Sequence, residues 1–314
     1  LTIGSSAIPQ MQRFGYRASD TYGVIAAGGT LGILIPPSGP MILYAIVSET
    51  SIGALFIAGL IPGIMMALLF AVYCMGQGYF RKEIKDVEWI GWARCAHAMR
   101  RSIWSLIMPP LVLGGIYMGI FTASEAAAIG SIYALFVGAV IYRNFNLKDL
   151  AITAYDTVRT TSMLFMILAA AAMFGHAVTI IRLPIELMES VTAMGLGPIQ
   201  FILVVMFVIF ILGMFLETIA IILITTPIVL PALMAFDVNL IWYGILLMIN
   251  LELALITPPV GMNLFVIKGI ANAPLAEVIR GALPYVLLML IGLTLVLLFE
   301  PLALWLPRLA GFGV

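Results

Sequence analysis

Two Pro-Pro-x-Gly segments, Pro36 to Gly39 and Pro258 to Gly261, stand inside long apolar stretches, and the polar side chains of those stretches gather around them. Thr30 lies six residues before Pro36-Pro37, and Glu252 lies six residues before Pro258-Pro259. Gly32, Ser38 and Gly39 surround the first pair; Asn250, Thr257, Gly261, Met262 and Asn263 surround the second. A third group joins Glu217-Thr218 to Thr225 and Thr226. Proline has no N–H and clashes with the preceding turn, so each pair interrupts a helix and strips carbonyls of their donors. Freed carbonyls and helix C-terminal ends suit Na⁺, and helix N-termini suit carboxylates. Such groups are costly in hydrocarbon and persist where an ion, water or protein satisfies them. The expected cation ligands are therefore Thr30, Gly32, Pro36, Gly39, Glu217, Thr218, Glu252, Thr257, Pro258 and Gly261. The expected substrate contacts are Ser38, Asn250, Thr226, Met262 and Asn263.

This chemistry holds and releases ions and makes no covalent bonds. No His-Glu-x-x-His metal motif and no Gly-x-Ser-x-Gly nucleophile elbow occurs, so an intramembrane enzyme is disfavoured. No cofactor is expected, and no metal beyond Na⁺ as a coupling ion. A passive channel or a structural membrane subunit stays open as an alternative to a coupled transporter.

The elements that position these residues are membrane helices. Of the 314 residues, 63% are hydrophobic and 10% charged, against about a quarter charged in soluble domains. The formal net charge is zero and no basic patch occurs, which argues against nucleic acid. Residues 1–12 are expected to form one arm of a hairpin, 20–48 a broken helix and 54–79 a span. Residues 80–102 hold Arg81-Lys82-Glu83-Ile84-Lys85, Trp89 and Trp92, and are expected to form an amphipathic cytoplasmic connector. Spans are expected at 103–121, 123–142, 160–181 and 278–306, a re-entrant hairpin at 199–233 and a second broken helix at 239–270. The hairpin arms measure about 16 residues, at or below the spanning limit. Glu125 is expected to cap the helix that follows Thr122, and Gly59-x-x-x-Gly63 and Gly115-x-x-x-Gly119 to pack helices closely.

Shifted by 222 residues without gaps, the chain repeats its interruptions: Pro9 falls on Pro231, Pro36 on Pro258, Pro37 on Pro259 and Pro62 on Pro284. Four of the five prolines between 9 and 62 coincide, where chance gives about 0.3, so residues 1–79 and 103–306 are expected to be repeats of one architecture. Five crossings between the broken helices make the repeats inverted. With the Arg13/Arg17 loop in the cytoplasm, 13 of the 15 Lys and Arg lie inside, leaving Arg182 and Arg308 outside. Two inverted breaks near mid-membrane describe a two-ion site around a substrate.

Four segments resemble the large membrane subunit of tripartite ATP-independent periplasmic (TRAP) transporters, the DctM family. They are Gly32-Ile33-Leu34-Ile35-Pro36-Pro37-Ser38; Gly213-Met214-Phe215-Leu216-Glu217 with Thr226-Pro227-Ile228-Val229-Leu230-Pro231; Ile256-Thr257-Pro258-Pro259-Val260-Gly261; and Gly114-Gly115-Ile116 through Ser124-Glu125-Ala126-Ala127. The resemblance covers essentially the whole chain. It implies an all-α polytopic protein of the bacterial inner membrane, an elevator-type Na⁺ symporter with inverted repeats and re-entrant hairpins. It also implies a small membrane subunit of the DctQ type and a periplasmic binding protein that delivers an organic acid such as a C4-dicarboxylate. One departure is expected to matter. The family's Ser-Gly-Ser-Ser tip lies more than about ten residues before the proline equivalent to Pro9, whereas Gly4-Ser5-Ser6 sits just before it. The chain opens Leu1-Thr2-Ile3, so its N-terminal part and first hairpin tip are expected to be missing, and these residues alone are not expected to transport.

Overall fold

The computed structural model describes residues 2–80, 91–143 and 146–313. Arg81, Lys82, Glu83, Ile84, Lys85 and Trp89 of the expected connector lie outside the described residues. Among the described residues the chain is all helix, without strands. The order is α1 Thr2–Arg13, α2 Ala18–Thr30, α3 Gly39–Val47, α4 Ile52–Phe80, α5 Trp92–Tyr117, α6 Ala123–Phe136 with a π segment Val137–Ile141, and α7 Leu147–Ile180. There follow α8 Leu183–Ala193, α9 Pro198–Gly213, α10 Thr218–Ala235, α11 Leu240–Leu255, α12 Met262–Ala271, α13 Leu275–Leu298 and α14 Pro301–Leu309. By length and composition α4, α6 with its π segment, α7, α10 and α13 can each cross a membrane.

Several boundaries differ from those read in sequence. The polar residues from Trp92 belong to the same helix as the apolar run beyond 103, because nothing between Trp92 and Tyr117 halts a helix before Pro109-Pro110, and even these are absorbed. Helix α7 starts at Leu147, well ahead of residue 160, since its first turns are polar but helical. The last expected span divides at Phe299, because Pro301 has no N–H for the carbonyl four residues back and starts α14 instead. The second hairpin arm, α10, is 18 residues, longer than expected, because Pro227 and Pro231 lie inside the helix without ending it.

The described residues fall into two compact units, Leu1–Asp86 with Phe174–Val314, and Val87–Met173. In the second unit α5 packs on α6. Gly130 lies against Val112, and the Tyr133 hydroxyl donates to the Trp104 carbonyl at 2.7 Å. A capping box opens α6: the Thr122 N–H donates to Glu125 Oε2 at 2.8 Å, and the Glu125 N–H to Thr122 Oγ1 at 3.3 Å. Gly115 is covered by the Phe121 ring, but Gly119 lies beyond the end of α5 with φ 69° and open space around it, so it turns the chain and packs no helix.

The first unit is built around α11. Every residue from Ile241 to Leu255 is buried, as expected for a helix apolar on all sides. Asn239 caps its start by accepting from the amides of Ile241 and Trp242 at 3.0 and 3.2 Å. Tyr44 Oη donates to the Leu240 carbonyl at 2.7 Å, and Trp242 Nε1 to that of Val296 at 2.9 Å.

The 222-residue shift carries α1 to 224–235, α2 to 240–252, α3 to 261–269 and the start of α4 to 274, within three residues of the C-terminal ends of α10, α11 and α12 and the start of α13. Contacts follow the same exchange. Helix α2 packs on α13 and α11 on α4; α1 on α12 and α10 on α3; α2 on α12 and α11 on α3; α12 on α13 and α3 on α4. Each half therefore buries its broken helix against the other half.

Candidate ion and substrate site

The two interruptions have the same local cause. Pro36 and Pro37 offer no N–H to the carbonyls of Gly32 and Ile33, and Pro258 and Pro259 none to those of Ala254 and Leu255. The Thr257 N–H bonds the Ala254 carbonyl at 3.2 Å. No described backbone N–H bonds those of Gly32, Ile33 or Leu255. Both Pro-Pro bonds are cis. After the first break Ser38, only 1% exposed, caps α3 by accepting from the Met41 N–H at 3.4 Å. After the second, Gly261 takes a left-handed backbone, φ 53°, open to glycine at little cost. A Cβ there would stand 2.8 Å from the Thr257 carbonyl oxygen.

The second break is joined to the α9–α10 turn. The Gly261 N–H donates to the Met214 carbonyl at 3.1 Å. Asn250 Nδ2 donates to the Met206 carbonyl at 2.8 Å, and Gly213 lets α9 sit directly on Ala254. The first break lies on α4: Gly59 faces the Leu34 carbonyl and Met41, and a Cβ on Gly63 would stand 2.8 Å from Ile35 Cγ1. These two glycines admit the unwound segment against α4.

Glu252 is the electrostatic centre of this region. It is 0% exposed, and neither carboxylate oxygen has a hydrogen-bond partner. The backbone N–H of Leu34, in the first break, faces the carboxylate but is given to the Leu31 carbonyl at 3.2 Å. No buried Lys or Arg occurs among the described residues. An unpaired charge costs several kcal/mol in such a setting, on the order of the penalty for one desolvated ion. Thr226 Oγ1 is the other buried, unpartnered side-chain group of this unit among the described residues.

The remaining expected site residues separate. The hydroxyls of Thr30 and Thr257 donate back to the carbonyls of Ala27 and Leu253, at 2.7 and 2.6 Å. Glu217 is exposed at the N-cap of α10 and Thr218 is buried beside it. Gly32, Gly39 and Pro258 are exposed and Pro36 is buried. Asn263 lines a cavity of about 320 Å³ with Gly4, Ala26, Gly29 and Ile267. Ser38, Thr226, Asn250 and Met262 do not line it. Leu34, Met206 and Met214 contribute through main-chain atoms, so no side-chain signal marks them.

The profile of the family described as Tripartite ATP-independent periplasmic transporter, DctM component, matches residues 1–302. The chain belongs to the DctM family. It is similar to the C4-dicarboxylate TRAP transporter large permease protein DctM of Pseudomonas aeruginosa, 39% identical over 99% of this chain and 73% of that protein. It is similar to the ectoine/5-hydroxyectoine permease UehC of Ruegeria pomeroyi, 33% identical over 99% and 72%. It is similar as well to the sialic acid permease SiaM of Vibrio cholerae, 32% identical over 99% and 73%. Membership of the DctM family makes this a transporter subunit and not an enzyme. These DctM relatives carry the names of unlike solutes on sequences aligned over almost all of this chain, so the shared framework does not by itself set the solute.

Proposed function

We propose that this chain is the translocating core of a Na⁺-coupled importer of a small organic acid in the bacterial inner membrane. The acid is handed over by a periplasmic binding protein, and a small membrane subunit of the DctQ type stands beside the core. The observation that carries the reading is the buried, unpartnered Glu252 carboxylate between two helix breaks. A transported cation neutralises it and takes up carbonyls that the prolines leave bare. The organic-acid class rests on relatives named for C4-dicarboxylate and sialic acid. Inverted repeats and elevator motion are supported by the exchange of contacts between the halves, and a re-entrant hairpin by α9, only 16 residues long. Asn263 and Thr226 are the substrate contacts in this reading.

The test uses the complete transporter, with its small subunit and binding protein, in proteoliposomes. Uptake is expected under an inward Na⁺ gradient and to vanish when K⁺ replaces Na⁺. Solute flux of equal size without a gradient would overturn the proposal in favour of a passive channel.

A further inference from the structure

The repeat places Glu252 on the second broken helix, six residues before the second Pro-Pro pair. Through space its carboxylate meets the first break, where the Leu34 N–H faces it. Helix α11 packs on α3 and α4, the helices that flank and support that break. The Gly32 carbonyl, which would need the N–H that Pro36 lacks, has no described backbone donor, and Gly32 itself is exposed. The repeat-equivalent of Glu252 is Thr30, which carries no charge and spends its hydroxyl on Ala27. The two breaks are thus unequal: the buried Glu252 carboxyl group faces the first, whereas Glu217, in the turn joined to the second, is exposed.

We infer that the cation held at the first break takes its only charged ligand from the other repeat, the Glu252 carboxylate, alongside the Gly32 carbonyl. This rests on the cation-coupled reading above and assigns which repeat supplies which ligand. The single carboxylate neutralises a monovalent cation, whereas a divalent one leaves net charge in an apolar core, so Na⁺ fits the chemistry. The cation ties the halves together: releasing it unpairs a carboxylate on α11 and a carbonyl at the end of α2 in one event. At the second break the Leu255 carbonyl has no described backbone donor.

The test measures Na⁺-induced thermal stabilisation of the complete purified transporter in K⁺ buffer, together with uptake against Na⁺ concentration. Glu252→Gln is expected to weaken the Na⁺ response by about tenfold or more, the loss of one charge-assisted ligand. Glu252→Asp is expected to keep a shifted, weaker response. Pro36→Ala, which restores an N–H to the Gly32 carbonyl, is expected to weaken the same cation, so that Glu252→Gln adds little on that background. On a Pro258→Ala background Glu252→Gln is expected to add its full effect. Wild-type Na⁺ half-saturation in Glu252→Gln, or in Glu252→Asp should the first variant not fold, overturns the inference and leaves the coupled reading intact. Full additivity with Pro36→Ala also overturns it. Wild-type uptake indifferent to Na⁺ defeats the reading on which the inference rests.

Discussion

Gly23 of α2 and Gly281 of α13 meet backbone to backbone: a Cβ on Gly23 would overlap the Gly281 carbonyl, and a Cβ on Gly281 would overlap that of Ser19. The exchange-related crossing of α11 with α4 is looser in kind, since Gly244 faces the side chains of Tyr44 and Leu55. One of two equivalent crossings is therefore main chain on main chain, and the other has side chains that can adjust.

Gly281→Ala is expected to destabilise the protein by about 3 kcal/mol or more, because the atoms it meets are backbone and cannot turn aside. Gly76→Ala, also within a helix but with open space around it, is expected to be near neutral. Thermal unfolding of the complete transporter, followed by size-exclusion chromatography, checks both. Equal stability of the two variants would show that α2 and α13 separate without cost.

Gly39 and Gly261 coincide in the repeat but differ in backbone. Gly261→Ala places a Cβ at φ 53° and against the Thr257 carbonyl, which is expected to cost about 1–2 kcal/mol and to weaken coupled uptake. Gly39→Ala meets nothing and is expected to leave both close to wild type. Tm and Na⁺-dependent uptake measured side by side decide it, and equal damage from both variants would deny the difference.

Asn250→Leu removes the amide that holds the Met206 carbonyl while keeping the volume of the side chain. A loss of about 0.6–1.7 kcal/mol is expected, the range of hydrogen bonds between membrane helices. Hydrogen exchange is expected to rise first in α9. An unchanged exchange pattern would mean that α9 is held by packing alone.

Much of this architecture is legible without a structure, because a missing N–H is a property of proline itself. Pro36-Pro37 and Pro258-Pro259, each followed two residues on by a glycine, mark their breaks, whereas Pro109-Pro110 lacks that glycine and is absorbed in α5. The role of Ser38 was within reach too, since serine followed by glycine and proline is a helix start. The limits of α5, α7 and α13 were not, because polar first turns and a single proline are compatible with either continuing or ending a helix.

The residue types and their spacing determined that the chain crosses membranes, that two helices break and that Glu252 stands near one break, for these follow from hydrophobicity and from donors that proline lacks. Only the tertiary structure decided which break the Glu252 carboxyl group faces. Spacing along the chain assigns it to Pro258-Pro259, whereas packing of α11 against α3 and α4 turns its carboxylate to Leu34. The reason is physical: the partner groups at the first break are peptide N–H and C=O, common to every residue, and folding alone selects which of them lies within reach of a buried charge.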